Sequence, residues 1–169
     1  MNGVIAFAFW TSTLLNPETS LINGLETIDA SGINKLSYSQ VWFQKEHIGS
    51  EIAFSTSPNY SFGPLQPMYS LSRTSHNGVW VGAGFSNTIS LTDTLNAKFS
   101  FLPGIYSRGD DVDLGGWLMF KSGIGLEYEV EEDLAFTISF DHRSSGDIWA
   151  YNPGMETVQI SLSKKFGSI

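Results

Sequence analysis

Near the C-terminus, His142, Ser144 and Glu156 have the types and spacing for nucleophilic catalysis. They lie in residues 140–162, FDHRSSGDIWAYNPGMETVQISL, which read as strand, loop, strand. His142 and Ser144 are two apart, so on a strand they share a face, together with Leu134, Phe136, Ile138 and Phe140. Beyond the loop, Glu156, Val158, Ile160 and Leu162 again fall on one face. If the two strands pair as a hairpin, both apolar faces become one surface and His142 is expected diagonal to Glu156. A histidine between a hydroxyl and a carboxylate is the arrangement of a general base that activates serine and is oriented by an acid. What sets this group apart is its place on the apolar side of a sheet.

An H-x-S pair alone is a weak signal, and three polar residues at the rim of a sheet is the plain alternative. Glu156 on the matching face strengthens the catalytic reading, and so does the Asn152-Pro153-Gly154 turn between the strands. Asn152 and Gly154 could supply an oxyanion hole, through a side-chain amide and a backbone N–H. They could equally be only a turn, Pro153 setting φ and Gly154 taking a positive one.

The elements that must carry these residues follow a period of two. Strands are expected over residues 34–45, 48–57, 64–74, 78–90, 94–106, 115–131, 133–144 and 154–166. Turn signals separate most of them: Ser57-Pro58-Asn59, His76-Asn77-Gly78, Thr92-Asp93 and Glu131-Glu132-Asp133. Asn77-Gly78 is the strongest hairpin signal. Leu118, Phe120, Ile124, Leu126 and Tyr128 share a side against Lys121, Glu127 and Glu129, and Val79, Val81, Ala83 and Phe85 share another. Only 34–45 alternates poorly, with Val41 and Trp42 on opposite faces. Short turns at Glu46-His47 and Glu131-Glu132 are expected to alternate with long loops at 107–114 and 145–153, an outer-membrane habit.

The totals bound the class. A chain of 169 residues is one domain. Hydrophobic residues are 41%, yet no run of about 18 apolar residues exists, which argues against a transmembrane helix. A membrane barrel and a soluble β-sandwich would both show this alternation. Net charge is -8, which argues against nucleic acid, whose binding rests on cationic contacts to phosphate. With no cysteine, disulfides and thiolate metal sites are excluded. Residues 1–32 are set apart from the 33–169 domain. The apolar run VIAFAFWTSTLL reads as a signal remnant or as an ordered strand or plug, Asn16-Pro17 breaks it, and 23–32 reads as loop.

Remaining groups read blandly. The acidic loop 109–113 lacks the spacing of a calcium loop, so no metal is expected. His47 and His76 stand alone beside turns and are expected at the surface. Trp10, Trp42, Trp80, Trp117 and Trp149 would form interfacial girdles in a barrel. Arg73, Arg108 and Arg143 could meet lipid phosphates.

The chain resembles the outer-membrane lipid A 3-O-deacylases, which trim lipopolysaccharide. The resemblance rests on His142-Arg143-Ser144, Asn152-Pro153-Gly154 and Glu156. Upstream, Leu102-Pro103-Gly104-Ile105-Tyr106, Asp113-Leu114-Gly115 and Phe120-Lys121-Ser122-Gly123 match in order. It covers residues 38 to the C-terminus; Ser145 stands where the family usually has asparagine. The fold expected is an all-β, eight-stranded antiparallel transmembrane barrel in the outer membrane. A barrel of this size is filled by side chains, so a site must lie outside or at the rim. The resemblance implies hydrolysis of the acyl ester at the 3-position of lipid A by Ser144, His142 and Glu156, with no cofactor. The partners expected are lipopolysaccharide and the membrane, not nucleic acid. A non-catalytic barrel and a soluble sandwich binding a hydrophobic ligand remain the alternatives.

Overall fold

A computed structural model of the chain describes residues 2–15 and 27–167. One helix, α1 (Asn2–Leu15), precedes ten strands: β1 (Thr27–Asp29), β2 (Gly32–Phe43), β3 (Glu46–Ser57), β4 (Tyr60–Phe62), β5 (Gln66–Thr74), β6 (Val79–Ser90), β7 (Leu95–Ser107), β8 (Leu118–Glu131), β9 (Leu134–Ser144) and β10 (Met155–Phe166). Eight of them close an antiparallel barrel in the order β10-β2-β3-β5-β6-β7-β8-β9, and β1 pairs with β4 apart from it. The eight expected strands are all present. The expected loop at 23–32 contains β1, and its residues 23–26 lie outside the described residues, as does Asn16-Pro17.

Period-two alternation produces a barrel that is polar inside and apolar outside. Ser37, Ser39, Ser55, Ser70, Ser72, Thr137, Thr157, Gln159, Ser161 and Ser163 are buried inward. Leu36, Tyr38, Ile52, Phe54, Leu71, Val81, Leu126, Phe136, Ile138 and Ile160 stand exposed outward. A soluble sandwich does the reverse, burying its apolar faces against each other. An exposed apolar band around a closed sheet suits lipid, where every backbone polar group must be paired internally.

At the end of the barrel carrying residues 108–117 and 145–154, the interior turns apolar. Val41, Met68, Trp80, Leu102, Tyr106, Leu114, Met119 and Met155 pack there, with Trp149 and Val112 leaning in from the loops. This explains the poor alternation of the first strand: Val41 serves the inner plug and Trp42 faces out, with a bulge in the pairing between them. It also corrects the girdle reading for Trp80, which is 0% exposed, pointing inward.

The alternation of short turns with long loops is corrected in part. The β2–β3 turn, at Gln44 and Lys45 with φ 51 and 71, shares its end with the two long loops. The opposite end carries the turns at 91–94 and 132–133, the β4 connection, and both barrel termini, where Phe166 meets Gly32. Asn77 makes the expected hairpin turn with φ 63.

The N-terminal run is a helix, neither strand nor plug in the lumen. It packs outside, against β6, β7, β8 and β9. Phe9 meets the Phe101 ring at 6.1 Å, and Asn87 Nδ2 donates to Ser12 Oγ at 2.9 Å. Its other face leaves Val4, Phe7, Trp10 and Leu14 exposed. A helix apolar all round belongs in an apolar surrounding. Accordingly, the hydroxyls of Thr11, Ser12 and Thr13 turn back to carbonyls of the preceding turn.

Candidate active site

β9 and β10 place His142 and Glu156 directly opposite each other. This corrects the diagonal pairing expected from sequence. The register also sets Met155 against Arg143, which leaves a longer loop between the strands than a tight hairpin needs. Directly opposed Cβ atoms stand about 4.5–5.5 Å apart. His142 Nδ1 and Glu156 Oε1 are 3.3 Å apart, within ion-pair distance. Neither ring nitrogen makes a hydrogen bond among the described residues. Loose catalytic geometry is common before substrate binds.

Ser144 is the last residue of β9, on the same outward face. His142 and Ser144 are each 3% exposed, whereas Phe136 and Ile138, outward on the same strand, are 55% and 65% exposed. α1 packs over β8 and β9, and the loop after β9 folds back through Gly154. Ser12 anchors α1 on β6, and the helix rises about 15 Å from there to its start, roughly the width of three strands. The amino-terminal half of α1 is therefore the part that lies on β9.

Gly154 has φ 70, and a Cβ built on it would stand 2.6 Å from His142 Cε1 and 3.1 Å from Nε2. Only glycine fits against the ring there without strain. The Asn152 side chain bonds within the loop, next to Ser144. Its Oδ1 accepts from the Ser145 N–H at 2.9 Å and its Nδ2 donates to Asp147 Oδ1 at 2.8 Å. The side chain thus braces the loop, while Gly154 is the member of the turn that touches the histidine. Ser145 is fully buried, its N–H held by that brace.

The loop is held from its neighbour as well. Trp149 lies 6.1 Å from Trp117, Tyr106 Oη donates to the Val112 carbonyl at 3.1 Å, and Asp113 Oδ1 accepts from the Gly115 N–H. In the acidic loop, Asp110 and Asp111 accept from Asn77 Nδ2 and the Val112 N–H. His47 and His76 are exposed, as expected. Sequence reasoning left Ser122 without a role. It stands directly opposite His142 on β8, outward and buried, so His142 has a carboxylate across one side and a hydroxyl across the other. Its outward position beside hydrophobic residues was the available signal.

A family model for lipid A 3-O-deacylase (PagL) matches residues 33–165. The chain belongs to this family. Among solved structures, it is similar to the outer membrane enzyme PagL, at 12% identity and TM-score 0.62, over 79% of this chain and 99% of that one. It is also similar to a de novo designed transmembrane β-barrel, at 11% identity and TM-score 0.60, over 82% and 98%. Neisserial surface protein A gives 13% identity and TM-score 0.52, over 83% and 99%. These identities speak to the fold. No curated protein matches by sequence. As a member of the deacylase family with this barrel, the protein resides in the outer membrane.

Proposed function

We propose that the protein hydrolyses the ester-linked acyl chain at the 3-position of lipid A. The observation that carries this is a carboxylate–histidine pair, with a serine two residues along, on the lipid-facing side of the barrel wall. An acyl ester reaches such a place by diffusing in the membrane plane. The site lies at the end opposite the barrel termini, the end with the long loops, which in outer-membrane barrels faces outward.

Glu156 holds the imidazole with Nδ1 toward the carboxylate, leaving Nε2 to take the Ser144 proton. Ser144 Oγ attacks the ester carbonyl, and the oxyanion rests on donors of the 152–154 turn, the Gly154 N–H and the second Nδ2 hydrogen of Asn152. Collapse of the intermediate breaks the ester bond as His142 protonates the leaving sugar oxygen. Water, deprotonated by His142, then cleaves the acyl-enzyme and restores the serine. α1 must shift outward for the ester to reach Ser144, because the helix lies over the strands that carry the site.

The test is mass spectrometry of lipopolysaccharide incubated with detergent-folded protein and with its Ser144→Ala variant. Loss of one acyl chain with the wild type alone supports deacylation and its nucleophile. No mass change with either, from protein whose folding is verified, leaves a non-catalytic barrel.

A further inference from the structure

The inward side chains at the level of the site include four charged ones, and a separate ion pair, Lys98–Glu127, lies deeper in the lumen. Arg143 lies between His142 and Ser144 in sequence, so its side chain points into the barrel. It cannot meet lipid phosphates, which corrects the sequence expectation. Its Nη2 reaches Glu51 Oε2 at 2.8 Å and Oε1 at 3.1 Å on β3, and Ser72 Oγ at 3.3 Å on β5, on the far wall. Lys121, directly across from Arg143 on β8, stands 3.8 Å from Glu51 and 3.4 Å from Asp141, which also accepts from Gln159.

These four charges balance, two positive and two negative. The Trp80 ring underlies both cations, with the Arg143 guanidinium carbon 5.1 Å from its centroid and Lys121 Nζ at 5.6 Å. That ring lies where Gly82 and Gly104, paired across β6 and β7, leave room for it. Below this level hydroxyl pairs such as Ser37–Ser161 and Ser55–Ser70 line the lumen beside the Lys98–Glu127 ion pair. Burying an ion quartet costs more than burying hydroxyl pairs.

We propose that Arg143 is a positioning residue for Ser144 and His142, a strut across the lumen that fixes the stretch of β9 carrying both. This rests on the esterase reading of the site. The Cα of Arg143 is about 3.8 Å from the Cα of each neighbour, and alternate side chains share one backbone. A twist that freed the guanidinium would therefore swing the serine and the histidine together. Misplacing catalytic groups by about 1 Å costs on the order of 10²-fold in rate.

The test compares wild type, Ser144→Ala and the charge-neutral double variant Glu51→Gln/Arg143→Met in detergent, using a p-nitrophenyl long-chain ester. Folding is read by the heat-dependent shift in gel mobility. If Arg143 served only to neutralise Glu51, removing both charges would leave kcat within about twofold of wild type, and the proposal would be overturned. The strut predicts a folded double variant with KM nearly unchanged and kcat lowered about 10–100-fold, the scale of a misplaced nucleophile. Should the double variant not fold, Arg143→Lys, which keeps the charge but has a shorter reach to Glu51 and Ser72, takes its place with the same two outcomes. If wild type and Ser144→Ala alike turn over nothing, the esterase reading has failed. Amide hydrogen exchange at residues 142–145 then decides the strut: faster exchange in the variant upholds it, and unchanged exchange overturns it.

Discussion

At the residue scale, the serine and the histidine are expected to matter most. Ser144→Ala and His142→Ala should each lower acyl release by at least about 10⁴-fold, and Glu156→Ala by one to two orders of magnitude less, because the orienting acid is usually the least costly member. Kinetics on folded protein in detergent checks the order; a Glu156 variant worse than a Ser144 variant would reverse the roles. Gly154 is the sharper case. With φ 70 and the His142 ring against it, Gly154→Ala has both a strained backbone and a clash to absorb. It should cost about 1–3 kcal/mol locally and show as reduced kcat, since the ring is what gives way. The chain spelled out much of this site. His142, Ser144, Glu156 and Gly154 were legible because alternation assigns faces and a turn brings strands together. The direct His142–Glu156 pairing was not, because register depends on how many residues the loop absorbs. Nor was the Asn152 brace, since its partners at 145 and 147 depend on a turn with positive φ at Gly146 and Asp147.

At the scale of elements, the eight barrel strands were readable because each has one face in lipid and one in a polar lumen. The inward partners were not. Glu51 and Arg143 lie 92 residues apart in sequence, and alternation tells which side a residue faces, not what it meets across the lumen. Trp80 shows the same limit, since an aromatic near a strand end suits a membrane interface as well as an inner plug. α1 was hardest, because the apolar run at residues 4–15 fits a helix, a strand or a leader equally. Its position makes a prediction. Protein lacking residues 2–15, folded in detergent, should have Ser144 labelled several-fold faster by a fluorophosphonate, because the helix over β8 and β9 is gone. Equal labelling rates would mean that α1 does not limit access.

For the whole molecule, an apolar outside and a polar inside mean that lipid, not a packed interior, holds the outer residues. Ile138→Arg, on the lipid-facing wall at a position 65% exposed, should destabilise the barrel by up to about 2–4 kcal/mol, according to its depth in the membrane. Urea titration in detergent or lipid, followed by tryptophan fluorescence, measures the shift. An equal cost for Ser161→Ala, inside the lumen, would contradict the inside-out arrangement.

The seam of the barrel has a consequence for how the protein comes into being. β10 pairs on one side with β9 and on the other with β2, so the strand made last closes the cylinder and also brings Glu156 to His142. A chain caught in transit, before its final segment is laid down, holds a serine and a histidine but no carboxylate beside them. Any esterase chemistry that depends on that carboxylate starts only once β10 has paired with β9.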